Sequence, residues 1–497
     1  MGDIGADWHI RAKELRPDNQ LWIGGEFVDA QSKRTFPDYS PIDGSHITDV
    51  AAGDVEDIDR AVGVALRTFE AGIWRMAPIS HRKKVLLRWS DLIREHLDEL
   101  ALLETMDVGK PISESLRVDV QSAASCIQWY AEAIDKLYGE VGPSGPMALS
   151  LVEREPLGVI GAVVPWNYPL IISSWKIAPA LATGNSVILK PAEQSPLSAL
   201  LLARLAKEAG LPDGVLNVVP GLGPEAGAAL GRHPAVAKIS FTGSNDTGRL
   251  FLRYAAETNM KQVSLELGGK SPQIVFGDSY DIDATIATIA AGIFYNQGQT
   301  CNAGSLLIVE RGIAETVIEG IIKIANDLRP TDPLDPACRL GAIVSPEQLT
   351  NVLRYIREGE DDGARTLAGG QQVLTETGGT YLNPTVLDNV ETSMSVYQEE
   401  IFGPVISCLR FDNEEEALRL AQNTRYGLAA GLWTSDLKRA HRVAKSLQAG
   451  TVWVNTFDAS DVTVPFGGFK ASGNGRDKSL HAIDGYTQLK TTWFDLT

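Results

Sequence analysis

The chain has 497 residues, 44% of them hydrophobic and 22% charged, with a formal charge of −18. That length exceeds one hydrophobic core, so two or three domains are expected. The negative balance repels phosphate backbones and anionic lipid headgroups, which argues against nucleic acid or a membrane surface as partner and leaves small molecules or a dinucleotide held by local donors.

The opening MGDIGADWHIRAKEL carries early acids and no apolar core, so it does not read as a secretory signal. A helix follows further on: Asp54 with Asp57 makes a capping box, and Ile58, Ala61, Val62, Ala65 and Phe69 recur at helical spacing. A second helix is predicted over 83–103, stopped by the segment Asp107 to Pro111, and a third over 114–133. Residues 139–156 are Pro/Gly-rich and extended, an excursion that pairs elsewhere.

From Gly158 the period changes. The runs GVIGAVVP, NSVILK, VLNVV, AKISFTG and KQVSLELGG alternate with helical stretches, as in a doubly wound parallel sheet. After Gly268 and Gly269 the alternation restarts with SPQIVF, LLIVE, VISCLRF, AAGLWT and GTVWVN. A second α/β domain is therefore expected, with a boundary near Leu267 to Gly269 where a ligand cleft can form. The most apolar region, 158–190, is broken by Pro165, Asn167, Pro169, Lys176, Pro179 and Asn185, so no membrane helix of about 20 apolar residues is predicted.

Four cysteines in this length make no disulfide framework, and without CxxC or nearby His pairs no metal site is expected. A cytoplasmic enzyme is the default reading. Cys126 lies on an amphipathic helix, Cys408 in an apolar strand and Cys338 in a loop. Cys301 differs, set in Gly298-Gln299-Thr300-Cys301-Asn302-Ala303-Gly304 among small and polar neighbours. Such a cysteine either fills a turn or presents its thiol to a ligand beside a backbone N–H. Glu266 ends an apolar strand beside two glycines; it is either half of an ion pair with a lysine or a buried base with a raised pKa. Asn167, in Pro165-Trp166-Asn167-Tyr168-Pro169, is either a turn residue or an oxyanion donor.

At these residues the chain resembles the aldehyde dehydrogenase superfamily. The motifs that carry the resemblance are PWNYP at 165–169, ILKPAEQSP at 188–196, FTGS at 241–244, LELGGK at 265–270, NQGQTC at 296–301, EEIFGP at 399–404 and PFGGFKASGNGR at 465–476. They stand in the family's order along most of the chain. The stretches YAEAIDKLYGEV, AAGIFYNQGQTC and VPFGGFKASGNGRDKSLHA are most similar to the bacterial branch that oxidises ω-aminoaldehydes, including γ-glutamyl-γ-aminobutyraldehyde and guanidinobutyraldehyde, in putrescine and arginine breakdown.

The resemblance implies two Rossmann-type α/β domains and a small β oligomerisation domain. The expected division is a NAD-binding domain from 1–138 and 157–267, a catalytic domain at 268–476, and an oligomerisation segment from 139–156 and 477–497. It implies Cys301 as nucleophile, Asn167 and the Cys301 N–H as oxyanion donors, Glu266 as the base for hydrolysis, and Lys176 with Asp477 as a proton relay. Taken alone, the last two could equally be a structural ion pair. No GxGxxG fingerprint announces the cofactor; the nearest match, 221–227, has the wrong final spacing. The resemblance nevertheless implies NAD, bound by Trp166, Lys190, Glu193, Gly223, Phe241, Ser244, Leu267, Gln348, Glu400 and Phe402. A carboxylate at Glu193 accepts from ribose hydroxyls and repels a 2′-phosphate, favouring NAD⁺ over NADP⁺.

Tyr168, Trp175 and Phe466 would line the aldehyde tunnel, although aromatics at such positions also serve as core. Asp458 and Asp461 fall at the tunnel mouth, where at least one receives a distal ammonium or guanidinium; the alternative is a solvated acidic loop. A homodimer or homotetramer is implied, formed through the excursion at 139–156. Two other readings stand beside this one: the same chemistry on betaine aldehyde, succinate semialdehyde or broad aliphatic aldehydes, and a non-catalytic structural or binding protein on the same fold.

Overall fold

The computed structural model describes residues 7–497. The first six residues, part of the stretch read as lacking a secretory signal, lie outside the described residues. The cap at Asp54 forms as its sequence suggests. Its carboxylate accepts from the Glu56 N–H, the Asp57 carboxylate accepts from the Asp54 N–H, and the helix Val55–Glu70 buries Ile58, Ala61, Val62 and Ala65.

The helix predicted over 83–103 is instead two helices, Ile79–Glu95 and Leu97–Val108, parted at His96 with φ −98° and ψ 26°. The reason lies in burial. The first helix has one buried face, whereas the second is buried from Leu100 through Val108, and the break turns it into the core. Gly109, left-handed at φ 81°, closes it where a Cβ would stand 3.0 Å from Ala342. The third helix passes through a π-helical turn, Ser115–Asp119, before Val120–Ala133.

Two seven-stranded sheets organise the chain. In the first, strands Gln262–Leu267, Val236–Gly243, Val159–Val163, Ser186–Lys190 and Leu216–Val218 lie side by side and parallel, extended by an antiparallel hairpin, Leu21–Ile23 and Glu26–Val28. The chain order reverses between Val159–Val163 and Val236–Gly243. Such a switch point opens a crevice at the carboxyl ends of the strands; the PWNYP motif follows one of these two strands and the FTGS motif ends the other.

The second sheet runs Arg365–Ala368, Thr385–Asp388, Val405–Phe411, Leu306–Glu310, Pro272–Val275, Ala429–Trp433, Thr451–Val454, parallel except for its first pair. A third sheet is antiparallel. Ala148–Pro156 pairs along its whole length with Thr487–Asp495 and also with Glu140–Gly142. Residues between the two larger elements of the C-terminal stretch do not follow that sheet: Ala482, Ile483 and Tyr486 pack into the core of the first unit. Among the described residues no helix is long and apolar enough to cross a membrane.

Candidate active site

Pro169 occupies the first helical position of Pro169–Ala182, so the strand Val159–Val163 passes into that helix through a short turn bearing Trp166, Asn167 and Tyr168. From the second unit, helix Ile282–Phe294 runs into a kink where Asn296 and Gln297 adopt left-handed φ values of 47° and 57°. Strain of this kind persists only when neighbours hold it. Here the Asn296 side-chain amide donates to the Asn167 carbonyl at 3.3 Å and to the Gln299 carbonyl at 3.2 Å. The Asn167 amide donates to the same Gln299 carbonyl at 2.8 Å, and the Tyr168 hydroxyl lies 2.8 Å from that of Thr300. The two loops are thus stitched together one and two residues before Cys301. The Cys301 backbone N–H donates to no group among the described residues.

The two glycines after Glu266 have a steric reason. A Cβ at Gly269 would stand 2.7 Å from the Cys301 carbonyl, and one at Gly268 would stand 1.9 Å from the Glu400 carboxylate. Their absence lets the edge strand of the first sheet meet the cysteine loop. Gly473 then bridges Glu266 across the strand edge, while Asn474 and Gly475 donate to the Leu265 carbonyl. The Glu266 side chain is held against Gly467 and Gly475, is 4% exposed, and accepts no hydrogen bond at either oxygen. Burial first, and the nearby Asp477 second, push its carboxyl well above the ordinary range. Lys176 pairs with Asp477 at 2.9 Å, so the ion pair weighed for Glu266 is made by Asp477 instead.

Cys301 is half-buried, whereas Cys126, Cys338 and Cys408 are buried. Its thiol lies 3.9 Å from the side-chain amide oxygen of Asn302. Burial pushes the thiol up, and the carboxylates of Glu400, Glu266 and Asp458 add to the effect. Three of the expected site acids therefore act on one sulfur. Glu400 also accepts from the Gly269 N–H at 3.2 Å and is itself raised to about 7, chiefly by burial.

The residues expected to hold the cofactor lie apart from the thiol loop. Lys190 donates to the Pro191 carbonyl at 2.8 Å and to Glu193 at 3.3 Å, and the other Glu193 oxygen accepts from the Gly223 N–H at 2.8 Å. Ser244 is exposed and caps the helix Asn245–Glu257, whose N-terminus presents free N–H groups to an anion. Trp166 meets Phe402 edge to face at 5.2 Å, and the Gln348 amide donates to the Phe402 carbonyl at 2.8 Å. Phe241 and Leu267 differ from the rest. Both are buried in the core of the first unit, Phe241 against Phe251 at 4.9 Å, so packing takes up their side chains.

Of the residues expected on the substrate side, Trp175 and Phe466 meet at a tilt with ring centres 5.3 Å apart, and Asp458 accepts from the Asn302 amide at 2.8 Å while staying exposed. Asp461 is not brought to the thiol; it is exposed and accepts from the Thr463 N–H of its own loop. Sequence reasoning missed Thr300, Asn302 and Lys478. The first two flank the cysteine inside a motif already singled out, and that adjacency was the available signal. Among the described residues there is no cluster of three or more His, Cys, Asp or Glu that would hold a metal.

The aldehyde dehydrogenase family model matches residues 27–492. The chain belongs to the aldehyde dehydrogenase family. It is 50% identical to the NADP/NAD-dependent aldehyde dehydrogenase PuuC of Escherichia coli K12, over 99% of this chain and 98% of that protein. A crystal structure of an indole-3-acetaldehyde dehydrogenase complexed with NAD⁺ superposes with a TM-score of 0.98 at 51% identity, covering 99% of both chains. That of γ-glutamyl-γ-aminobutyraldehyde dehydrogenase from Burkholderia cenocepacia gives 0.97 at 51%, with the same coverage. This aldehyde dehydrogenase is an oxidoreductase with a nicotinamide dinucleotide as cofactor, on the α/β fold expected. The residues present fit that cofactor: the Glu193 carboxylate, an acceptor for ribose hydroxyls, and the Lys190 ammonium, a donor, stand at the end of a strand of the first sheet, with the N-terminus of the helix Asn245–Glu257 at Ser244.

Proposed function

We propose that the protein oxidises an aldehyde to its carboxylate through a thioester on Cys301. The Cys301 sulfur, as thiolate, bonds to the aldehyde carbon, and the carbonyl electron pair moves onto oxygen. The second N–H of the Asn167 amide and the Cys301 backbone N–H hold that oxyanion; the first is already directed at Gln299. The bound dinucleotide supplies the hydride acceptor, with Lys190, Glu193, Gly223, Ser244, Glu400, Phe402, Trp166 and Gln348 holding it. Glu266 then takes a proton from water, the water oxygen bonds to the acyl carbon, and the carbon–sulfur bond breaks. Lys176 and Asp477, paired behind Glu266, carry the proton onward.

The observation that supports this most is the Glu266 carboxylate, buried and without a hydrogen-bond partner, acting on the Cys301 sulfur. A protein released from catalysis has no physical need to keep it so. Replacing Cys301 by Ala tests the reading: NADH formation is abolished while dinucleotide binding, followed by fluorescence quenching, persists. Residual aldehyde-dependent turnover would sink it.

The substrate we infer is an ω-amino- or guanidino-aldehyde, and the enzyme cytoplasmic. Support comes from the relative named for γ-glutamyl-γ-aminobutyraldehyde and from the Asp458 carboxylate exposed beside the thiol. An equally similar relative is named for the neutral indole-3-acetaldehyde, so the deciding experiment is kcat/KM for 4-aminobutanal, butanal and 4-oxobutanoate. Preference for the neutral or anionic aldehyde would overturn the inference. The division into a cofactor unit (1–138 with 157–267), a catalytic unit (268–476) and a bridging sheet belongs to the same proposal. Exposed Val141, Leu489, Trp493 and Phe494 on that sheet suit a partner subunit in a dimer or tetramer.

A further inference from the structure

After Asp477 the chain turns through two consecutive left-handed residues, Lys478 at φ 62° and Ser479 at φ 53°. Neither is glycine, so this backbone is held from outside. The Ser479 N–H donates to the Val462 carbonyl at 2.7 Å, and the Ser479 carbonyl accepts from the Tyr130 hydroxyl at 3.0 Å. The turn sends neighbouring side chains to different places. Asp477 goes to Lys176, and Lys478 goes to the wall formed by Trp175 and Phe466.

There the Lys478 ammonium stands 5.2 Å from the Trp175 ring centre and 5.5 Å from that of Phe466, and it donates to the Ser460 hydroxyl. The residue is 3% exposed and forms no salt bridge among the described residues. The acids whose fields reach it are Asp458, most strongly, then Asp461 and Asp477, with the Cys126 thiol also facing it. A buried ammonium given only rings and a hydroxyl is costly to keep, so stability alone does not account for it. Meanwhile Asp458 stands one hydrogen bond from Asn302, the residue after the nucleophile. The walls beyond the thiol therefore carry one negative and one positive group, and the positive one has no counterion in contact.

We propose that Lys478 determines the charge selectivity of the aldehyde tunnel. Its ammonium, set behind Trp175 and Phe466, offsets Asp458, so the preference for a cationic tail is smaller than Asp458 alone would set. The proposal rests on the reading of Trp175, Phe466 and Asp458 as tunnel walls. Specificity here comes from a repulsive group as much as an attractive one.

The test is the ratio of kcat/KM for 4-aminobutanal to that for 4-oxobutanoate, with butanal as the uncharged reference, in the parent enzyme and in K478M, K478Q and K478R. One unit charge several ångströms from a ligand group, at the effective dielectric of a protein site, corresponds to about tenfold or more in this ratio. K478M and K478Q are expected to raise it about tenfold, while K478R keeps it within about threefold. A purely structural lysine would lower all three substrates together and leave the ratio where it was, and that result overturns the proposal. Should K478M and K478Q not fold, S460D on the exposed loop gives the ammonium a counterion without removing it. The ratio then rises as well, and an unchanged ratio in S460D counts equally against the proposal. The absolute preference of the parent enzyme tests the aminoaldehyde reading; the change on substitution tests Lys478. Either can fail without the other.

Discussion

Asp119 and Glu266 are both buried carboxylates, at 1% and 4% exposure, and they are treated in opposite ways. Asp119, on the π-helical turn, accepts from Lys110 at 3.0 and 3.1 Å, and the Lys110 ammonium lies 4.3 Å over the Tyr168 ring. Glu266 accepts nothing, although Lys176 and Arg476 are close enough to act on it. The first is a finished contact that supports the Tyr168 ring. On the proposed mechanism, the second is held ready for a proton from water. In Glu266 both carboxyl oxygens go unsatisfied, and its field reaches the sulfur of the half-buried Cys301.

The contrast can be broken from either side. Glu266→Gln keeps the shape but removes the base, so the steady-state rate should fall by about 10²–10⁴, the range for general-base catalysis. Its thermal stability should not fall. Because burial raises the folded carboxyl well above its ordinary value of 4.5, stability from the protonated form is full below that value and lost as pH rises through the folded one. Melting at high pH should therefore show the Gln variant at or above the parent. By the same sign, turnover of the parent should fall as pH drops through the raised value, and this limb should be absent in Glu266→Gln. Asn167→Ala, on the oxyanion side, should cost about 10²–10³ in kcat.

Asp119→Ala should do the reverse. It leaves Lys110 buried without its partner and should cost about 3–5 kcal/mol in denaturant unfolding. Adding Lys110→Met should restore much of that. The smallest effect expected is at the cofactor cluster: Glu193→Gln removes the charge facing a 2′-phosphate and should raise the NADP⁺ to NAD⁺ ratio of kcat/KM by about tenfold.

Much of this was legible from residues with local causes. The Asp54 cap, the alternation of strands and helices after Gly158, and the glycine pair after Glu266 each follow from short-range chemistry. The break at His96 was not, because it answers to burial of Leu97–Val108 and not to any breaker residue. The excursion at 139–156 read as extended, but its partner Thr487–Asp495 lies more than 300 residues away and has only one buried residue to mark it. Cys301, Asn167 and Glu266 stood out by their neighbours. Lys478 did not, since its direction is decided by two left-handed residues whose anchors, Val462 and Tyr130, come from other parts of the chain.

The central claim is that sulfur 301 and carboxyl 266 serve one carbon in succession. Rapid mixing of Glu266→Gln with NAD⁺ and aldehyde measures it most directly. The expected trace is a burst of NADH approaching one equivalent per subunit, then turnover slowed to a small fraction of the parent's, with an acyl adduct on Cys301 visible by mass spectrometry. Undiminished steady turnover, with no adduct on that cysteine, would contradict it.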